Sequence, residues 1–157
     1  MTLNDMLLQK LAEWRFDNGR QTLSVVHPET GWRAEVVADC SDRIGCHLWE
    51  LNLSRPEAAP SADLKTRAER LVSRATGLME PLRLIEVDAG RETALLRSAA
   101  PQKRGDDLFY YEVLLQNHSA GVRRYQSSTQ GGTRQQLAFP LTHEALAKLA
   151  ADLSADA

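Results

Sequence analysis

Cys40, Cys46 and His47 lie within eight residues of one another, and His27 falls on a neighbouring predicted strand. Thiolate and imidazole are the usual zinc ligands. The spacing does not suit a metal, however. Zinc sites take a CxxC or HxxxH form because a short turn or one helix face must aim two ligands at one point. Here five residues separate the thiols. Cys46 and His47, adjacent on a strand, also face opposite sides of it. No metal site is expected.

Nucleophilic catalysis fares no better. The chain has no GxSxG elbow and no cysteine beside an activating group. His143 opens a predicted helix, where a capping role explains it. Asp106 and Asp107 read as strand-entry residues in a loop, and Asp39 and Asp42 flank a turn, where such residues are favoured. Gly131 and Gly132 stand between strands, without a following helix whose N-terminus could hold phosphate. The sequence therefore assigns no catalytic residue and no cofactor.

Anion or partner binding remains. No Asp or Glu occurs between Glu112 and Glu144, while Arg123, Arg124 and Arg134 do. With Lys103, Arg104 and Tyr110 they form the candidate set for an anion-attracting or partner-binding patch. A nucleic-acid surface requires Tyr110, Arg123, Arg124 and Arg134 on one exposed side, because single-strand binders set uncompensated cations beside stacked rings. An adaptor requires an open apolar groove or sheet edge, and an enzyme a closed pocket with convergent polar groups.

Register decides what the 108–126 hairpin presents. A three-residue turn at 117–119 sets Glu112 opposite Arg124 and Tyr111 opposite Tyr125, each pair contributing roughly 0.2–1 kcal/mol. The expected inward face is then Phe109, Tyr111, Val113, Leu115 and Tyr125, with Arg123 as its misfit. The other face carries Tyr110, Glu112, Leu114, Val122 and Arg124. Glu112 would partly neutralise Arg124 and repel phosphate, so an ordinary sheet hairpin is expected and nucleic acid is disfavoured.

The elements that must position these residues are legible from periodicity. A first helix follows Thr2, with Leu3, Leu7, Leu11 and Trp14 at helical spacing and Asp5 placed for a capping box. A second follows Pro60-Ser61, carries Leu64, Ala68, Leu71, Val72 and Ala75 on one stripe, and closes at Gly77. A third follows Thr142 and buries Leu146, Leu149 and Leu153. Strands are expected at 22–27, 32–38 and 44–53, the last with His47, Trp49, Leu51 and Leu53 on its apolar side. Further strands are expected at 81–87 and 91–98, in the hairpin, and near 134–139, with 99–107 as a mobile loop. The clean alternation of 32–38 implies a sheet with one wet face. Strands in consecutive runs argue for an α+β fold with a mostly antiparallel sheet, in the order α-βββ-α-βββββ-α.

The totals bound the partners. The 157 residues fit one domain, 1–157, with 154–157 a frayed tail. Net charge is −2, and residues 1–78 hold ten basic against eleven acidic side chains while 79–157 hold nine against ten. No basic arm exists to recruit duplex DNA or an anionic membrane. The longest apolar run is four residues, Leu108–Tyr111, so no membrane span is expected. No apolar signal core opens the chain and its cysteines are two, so a reducing cytoplasm is expected.

In layout, over most of its length, the element order resembles the small chaperone domains that serve type III secretion systems. That resemblance implies a protein partner and a homodimer. The sequence reading is thus a non-enzymatic protein-binding or adaptor domain. Its alternatives are weak nucleic-acid or anion binding through the 108–126 hairpin, and an enzyme with no recognisable motif.

Overall fold

The computed structural model describes residues 1–56 and 63–155. In chain order the elements are α1 (Leu3–Glu13), β1 (Gln21–Val26), β2 (Arg33–Ser41), β3 (Gly45–Ser54), α2 (Leu64–Arg74), β4 (Leu82–Asp88), β5 (Thr93–Ser98), β6 (Gln102–Arg104), β7 (Asp107–Gln116), β8 (Ser119–Ser128), β9 (Gln135–Leu137), β10 (Phe139–Thr142) and α3 (His143–Ser154). This is the expected α+β order, with more strands after α2 than periodicity revealed. Ser154, the first residue of the 154–157 tail, is the last residue of α3, and 156–157 lie outside the described residues.

The helices form for local reasons. The Thr2 hydroxyl oxygen accepts a hydrogen bond from the Asp5 amide at 3.1 Å, and the Asp5 carboxylate in turn accepts one from the Thr2 amide at 3.2 Å. Aspartate thus completes the box in which glutamate is usual. Trp14 caps the C-terminus of α1 and is not part of its buried stripe. The expected start of α2 at Pro60-Ser61 lies outside the described residues; Asp63 is its N-cap, accepting from the Thr66 amide. Gly77 does not close α2. The cap is Ala75, and a Cβ on Gly77 would instead touch Ala145 of α3. Thr142 caps α3 by accepting from the Ala145 amide at 3.0 Å.

The strands form one sheet in the order β1-β2-β3-β8-β7-β5-β4, and every pairing is antiparallel. One face buries Trp32, Ala34, Val36, Leu51, Leu53, Leu96 and Tyr111 beneath the helices. α1 and α3 pack on each other, α3 also on β3, and α2 on β4, β5 and β7. Two phases differ from expectation. In β3, Val37 pairs Glu50 while Ala38 pairs Leu48, so Trp49 is an unmatched bulge residue. The bulge reverses alternation, and Leu48 is buried while His47 is exposed. In the hairpin the turn has two residues, Asn117-His118, because Gln116 pairs Ser119. That slides β8 by one position and turns Arg124 inward and Arg123 and Tyr125 outward. The expected loop 99–107 also contains β6, joined to β7 by a tight turn at Gly105, where φ is +59°.

The sheet forks. β3 and β8 pair only between Leu51–Ser54 and Ser119–Val122. Beyond that they diverge, and the 135–142 segment fills the gap: β9 bonds β8 and β10 bonds β3. Gln136 Nε2 donates to the Trp49 carbonyl at 3.0 Å, satisfying the backbone oxygen at the fork. β10 approaches β3 so closely that a Cβ on Gly45 would stand 2.5 Å from the Leu141 carbonyl oxygen. Gly45→Ala must therefore push β10 off β3, and we expect a loss of about 1–3 kcal/mol in chemical unfolding. Gly121→Ala meets only the movable end of Asn52, and its expected loss is below about 1 kcal/mol.

Candidate interaction surfaces

The six residues singled out from sequence do not share a surface. Arg124 lies on the helix-covered face at 4% exposure. Its Nη1 and Nη2 donate to the two carboxylate oxygens of Glu80 at 3.0 and 3.3 Å. Ser98 Oγ donates to Glu80 at 3.0 Å and accepts from the Tyr111 amide at 2.8 Å. The guanidinium also lies 4.2 Å from the centre of the Tyr111 ring. A bidentate charge-assisted pair with its remaining lone pairs occupied is the arrangement that repays burial of two charges. It holds β8 to the segment before β4, and it is structural.

Arg123, Tyr110 and Arg134 lie on the open face. Cross-strand registers pair Val37 with Glu50 across β2 and β3 and set Arg123, Glu112, Arg97 and Arg83 in one row across β8, β7, β5 and β4, and the Arg123–Glu50 ion pair joins the two. Arg123 Nε donates to Glu50 and Arg97 Nε to Glu112, each at 3.0 Å, and Arg134 Nη1 donates to Glu112 at 2.6 Å. Burial alone would raise the Glu112 carboxyl, but the Arg134 and Arg97 hydrogen bonds outweigh it and hold it below the usual range. Rings carry the same arginines: Arg134 stacks 3.8 Å over Tyr125, and Tyr125 lies 6.0 Å from Tyr110. Lys103 and Arg104 are exposed on β6, with Arg104 5.7 Å from the Phe109 ring. The cations of this face are largely answered by carboxylates within it. In the next row Gly121 leaves a dip of about 290 Å³ between Asn52 and Leu114.

A concavity of about 720 Å³, wide open to solvent, lies at the β2–β3 corner against Phe16, Ile44 and Leu141. Ser41 and His143 meet there, with Oγ and Nε2 3.3 Å apart and both side chains buried. The pair ties the start of α3 to β2, and the His143 amide, which donates to the Ile44 carbonyl at 2.8 Å, ties it to the β2–β3 turn. Burial pushes the Cys46 thiol up to about 12, so it stays protonated and unreactive. Among the described residues no cluster of three or more His, Cys, Asp or Glu is placed for a metal. No described helix is long and apolar enough to cross a membrane.

The two edges of the sheet differ in kind. β4 carries Arg83, Glu86 and Asp88 and has a bulge between Leu84 and Glu86. Charges and bulges are what keep an edge from pairing indiscriminately. β1, QTLSVV, has no charge and no proline, and pairs β2 without a register shift. The His27 amide bonds the Trp32 carbonyl at 2.8 Å. Alternation along an antiparallel ladder then directs the backbone groups of Thr22, Ser24 and Val26 away from β2, into solvent. α1 packs against β1, and Met6, Leu8 and Leu23 are half-buried at the margin of the core.

No protein-family model matches the chain, and neither a curated protein nor a solved structure matches it. Periodicity had no means of finding the Glu80 partner of Arg124, the Ser98 partner of Glu80 or the Ser41–His143 contact, which join residues 18 to 102 positions apart.

Two measurements separate structural from surface charges. Glu80→Gln leaves Arg124 buried without a counter-charge, and we expect a loss of about 3–5 kcal/mol. Glu50→Gln on the open face should cost no more than about 1 kcal/mol. Burial, opposed by Asp42 and the Gly45 carbonyl, holds the His143 imidazole below its ordinary value. A depressed folded-state value resists protonation, so this contribution is intact above the unfolded histidine range, about pH 6.5, and is lost as pH falls below it. Thermal midpoints measured from pH 7.5 to 5 should fall less steeply in His143→Gln than in the parent.

Proposed function

We propose that this chain is a non-enzymatic protein-binding domain that accepts an extended segment of a partner protein as an added strand along β1. The observation that carries this reading is the contrast between the edges. An open, regular, uncharged edge with free backbone donors and acceptors is a template for strand addition. Val26, 42% exposed, stands on it. The half-buried Met6, Leu8 and Leu23 offer apolar contacts to alternate side chains of an incoming strand. The layout resemblance to secretion chaperones supports the same class of partner. The two cysteines, both free thiols, suit a reducing cytoplasm as the site of action, and the continuous sheet with its one core suits a single domain.

Nucleic-acid or anion binding is the second reading, favoured by the arginine-stacked rings Tyr110 and Tyr125 on the open face. It is weaker because Arg124 faces the other side and Arg97, Arg123 and Arg134 are paired with carboxylates. Catalysis has less support, since the 720 Å³ concavity at the β2–β3 corner is open and mostly apolar.

Ser24→Pro tests the β1 reading. It deletes one outward donor, breaks no bond to β2, and proline is tolerated at a sheet edge. Affinity capture from the native host should recover a partner with the parent chain and lose it with Ser24→Pro, while thermal midpoints stay within a few degrees. Equal recovery by both would overturn the β1 reading. Saturable binding of a single-stranded oligonucleotide at about 0.15 M salt would move the function to the open face.

A further inference from the structure

The row of charges on the open face runs off the molecule at β4. Glu50, Arg123, Glu112 and Arg97 answer one another in turn, but the next residue, Arg83, lies beside Arg97. Arg83 has no carboxylate partner among the described residues. One row over, Glu86 is opposite Leu95 and likewise has no cationic partner among them. Both side chains are exposed.

Residues three apart on a regular strand point to opposite faces. The β4 bulge at Ile85 changes that: Arg83 pairs Arg97 and Glu86 pairs Leu95, so the two unanswered charges share the open face. Between them stand Leu84 and Ile85, and Ile85 and Val87 are 38% and 40% exposed. Just ahead of the strand, Met79 is 62% exposed.

We propose that β4 pairs antiparallel with β4 of a second copy of this chain, Arg83 of each opposite Glu86 of the other. Two residues, Leu84 and Ile85, then separate the ion pairs on both strands, so the counts match across a two-fold axis normal to the sheet. Such an axis keeps the open faces of both copies on one side, as joining the two sheets demands. The charges select this pairing over others. A parallel match in register sets arginine against arginine. A β4–β1 contact, which would run on into open chains, leaves both charges unanswered because β1 has none.

This dimer does not depend on the β1 reading, which Ser24→Pro probes at the opposite edge. Light-scattering mass on the full chain at tens of micromolar should give twice the 17.5 kDa chain mass. Arg83→Glu alone and Glu86→Arg alone each place like charges together twice per dimer, and each should weaken association at least tenfold. The double reversal, Arg83→Glu with Glu86→Arg, should restore it. Circular dichroism checks that all three variants fold, which their exposure permits. A parent chain that stays at single mass, single reversals that leave the mass unchanged, or a double reversal no tighter than the singles would each overturn the proposal.

Discussion

The Arg124–Glu80 pair decides how the two longest strands of the second half meet. β7 offers two tyrosines in succession and β8 two arginines, so two registers one residue apart both set a ring against a ring and a carboxylate against a guanidinium. Cross-strand pair energies of roughly 0.2–1 kcal/mol differ little between them. A buried carboxylate aimed at β8 breaks the tie, because the observed register sets Arg124 opposite Tyr111 and against Glu80, whereas the other would set Tyr125 there and turn Arg123 inward one pair away, opposite Val113. Once Arg124 is inward, Arg123 must be outward beside Glu50, and Tyr125 must pass from the helix-covered face to the open one, where it stays buried at 8% exposure beneath Arg134. The distribution of charge over the whole sheet follows from that choice.

The sheet consequently has two faces of different character. The covered face is apolar except where Arg124, Glu80 and Ser98 satisfy one another. The open face is wet and aromatic, with arginines flattened on rings and Arg97, Arg123 and Arg134 paired with carboxylates. Cations answered within the face exert a weaker field at a distance than uncompensated ones. The edges, where backbone groups or charges lack partners, are where this molecule has unsatisfied chemistry to offer.

Element order and most buried positions were legible because they depend on local patterns. The capping box at Thr2, the alternation of Ala34, Val36 and Ala38, and the α3 stripe each need only a few consecutive residues. Misreadings cluster where one residue shifts a phase. Trp49 reads as an inward strand residue until its bulge is known, and the hairpin turn loses one residue relative to expectation. Short strands were missed for another reason: β6 has three residues and β10, separated from the expected strand near 134–139, has four, too few for alternation to register. Of the candidate site residues, sequence identified the arginines but not their sides, because facing is fixed by partners distant along the chain.

The fork between β3 and β8 bears on how the chain acquires its structure. Its gap is filled by residues that follow nearly everything else, and α3 begins where β10 ends. While a nascent chain is still short of residue 135, β3 and β8 can hold only the four rungs they share, with open backbone on either side of the cleft. Such unpaired edges are the sticky species of folding intermediates. Emergence of the 135–142 segment, rather than collapse of the earlier strands, is thus the step that seals the sheet.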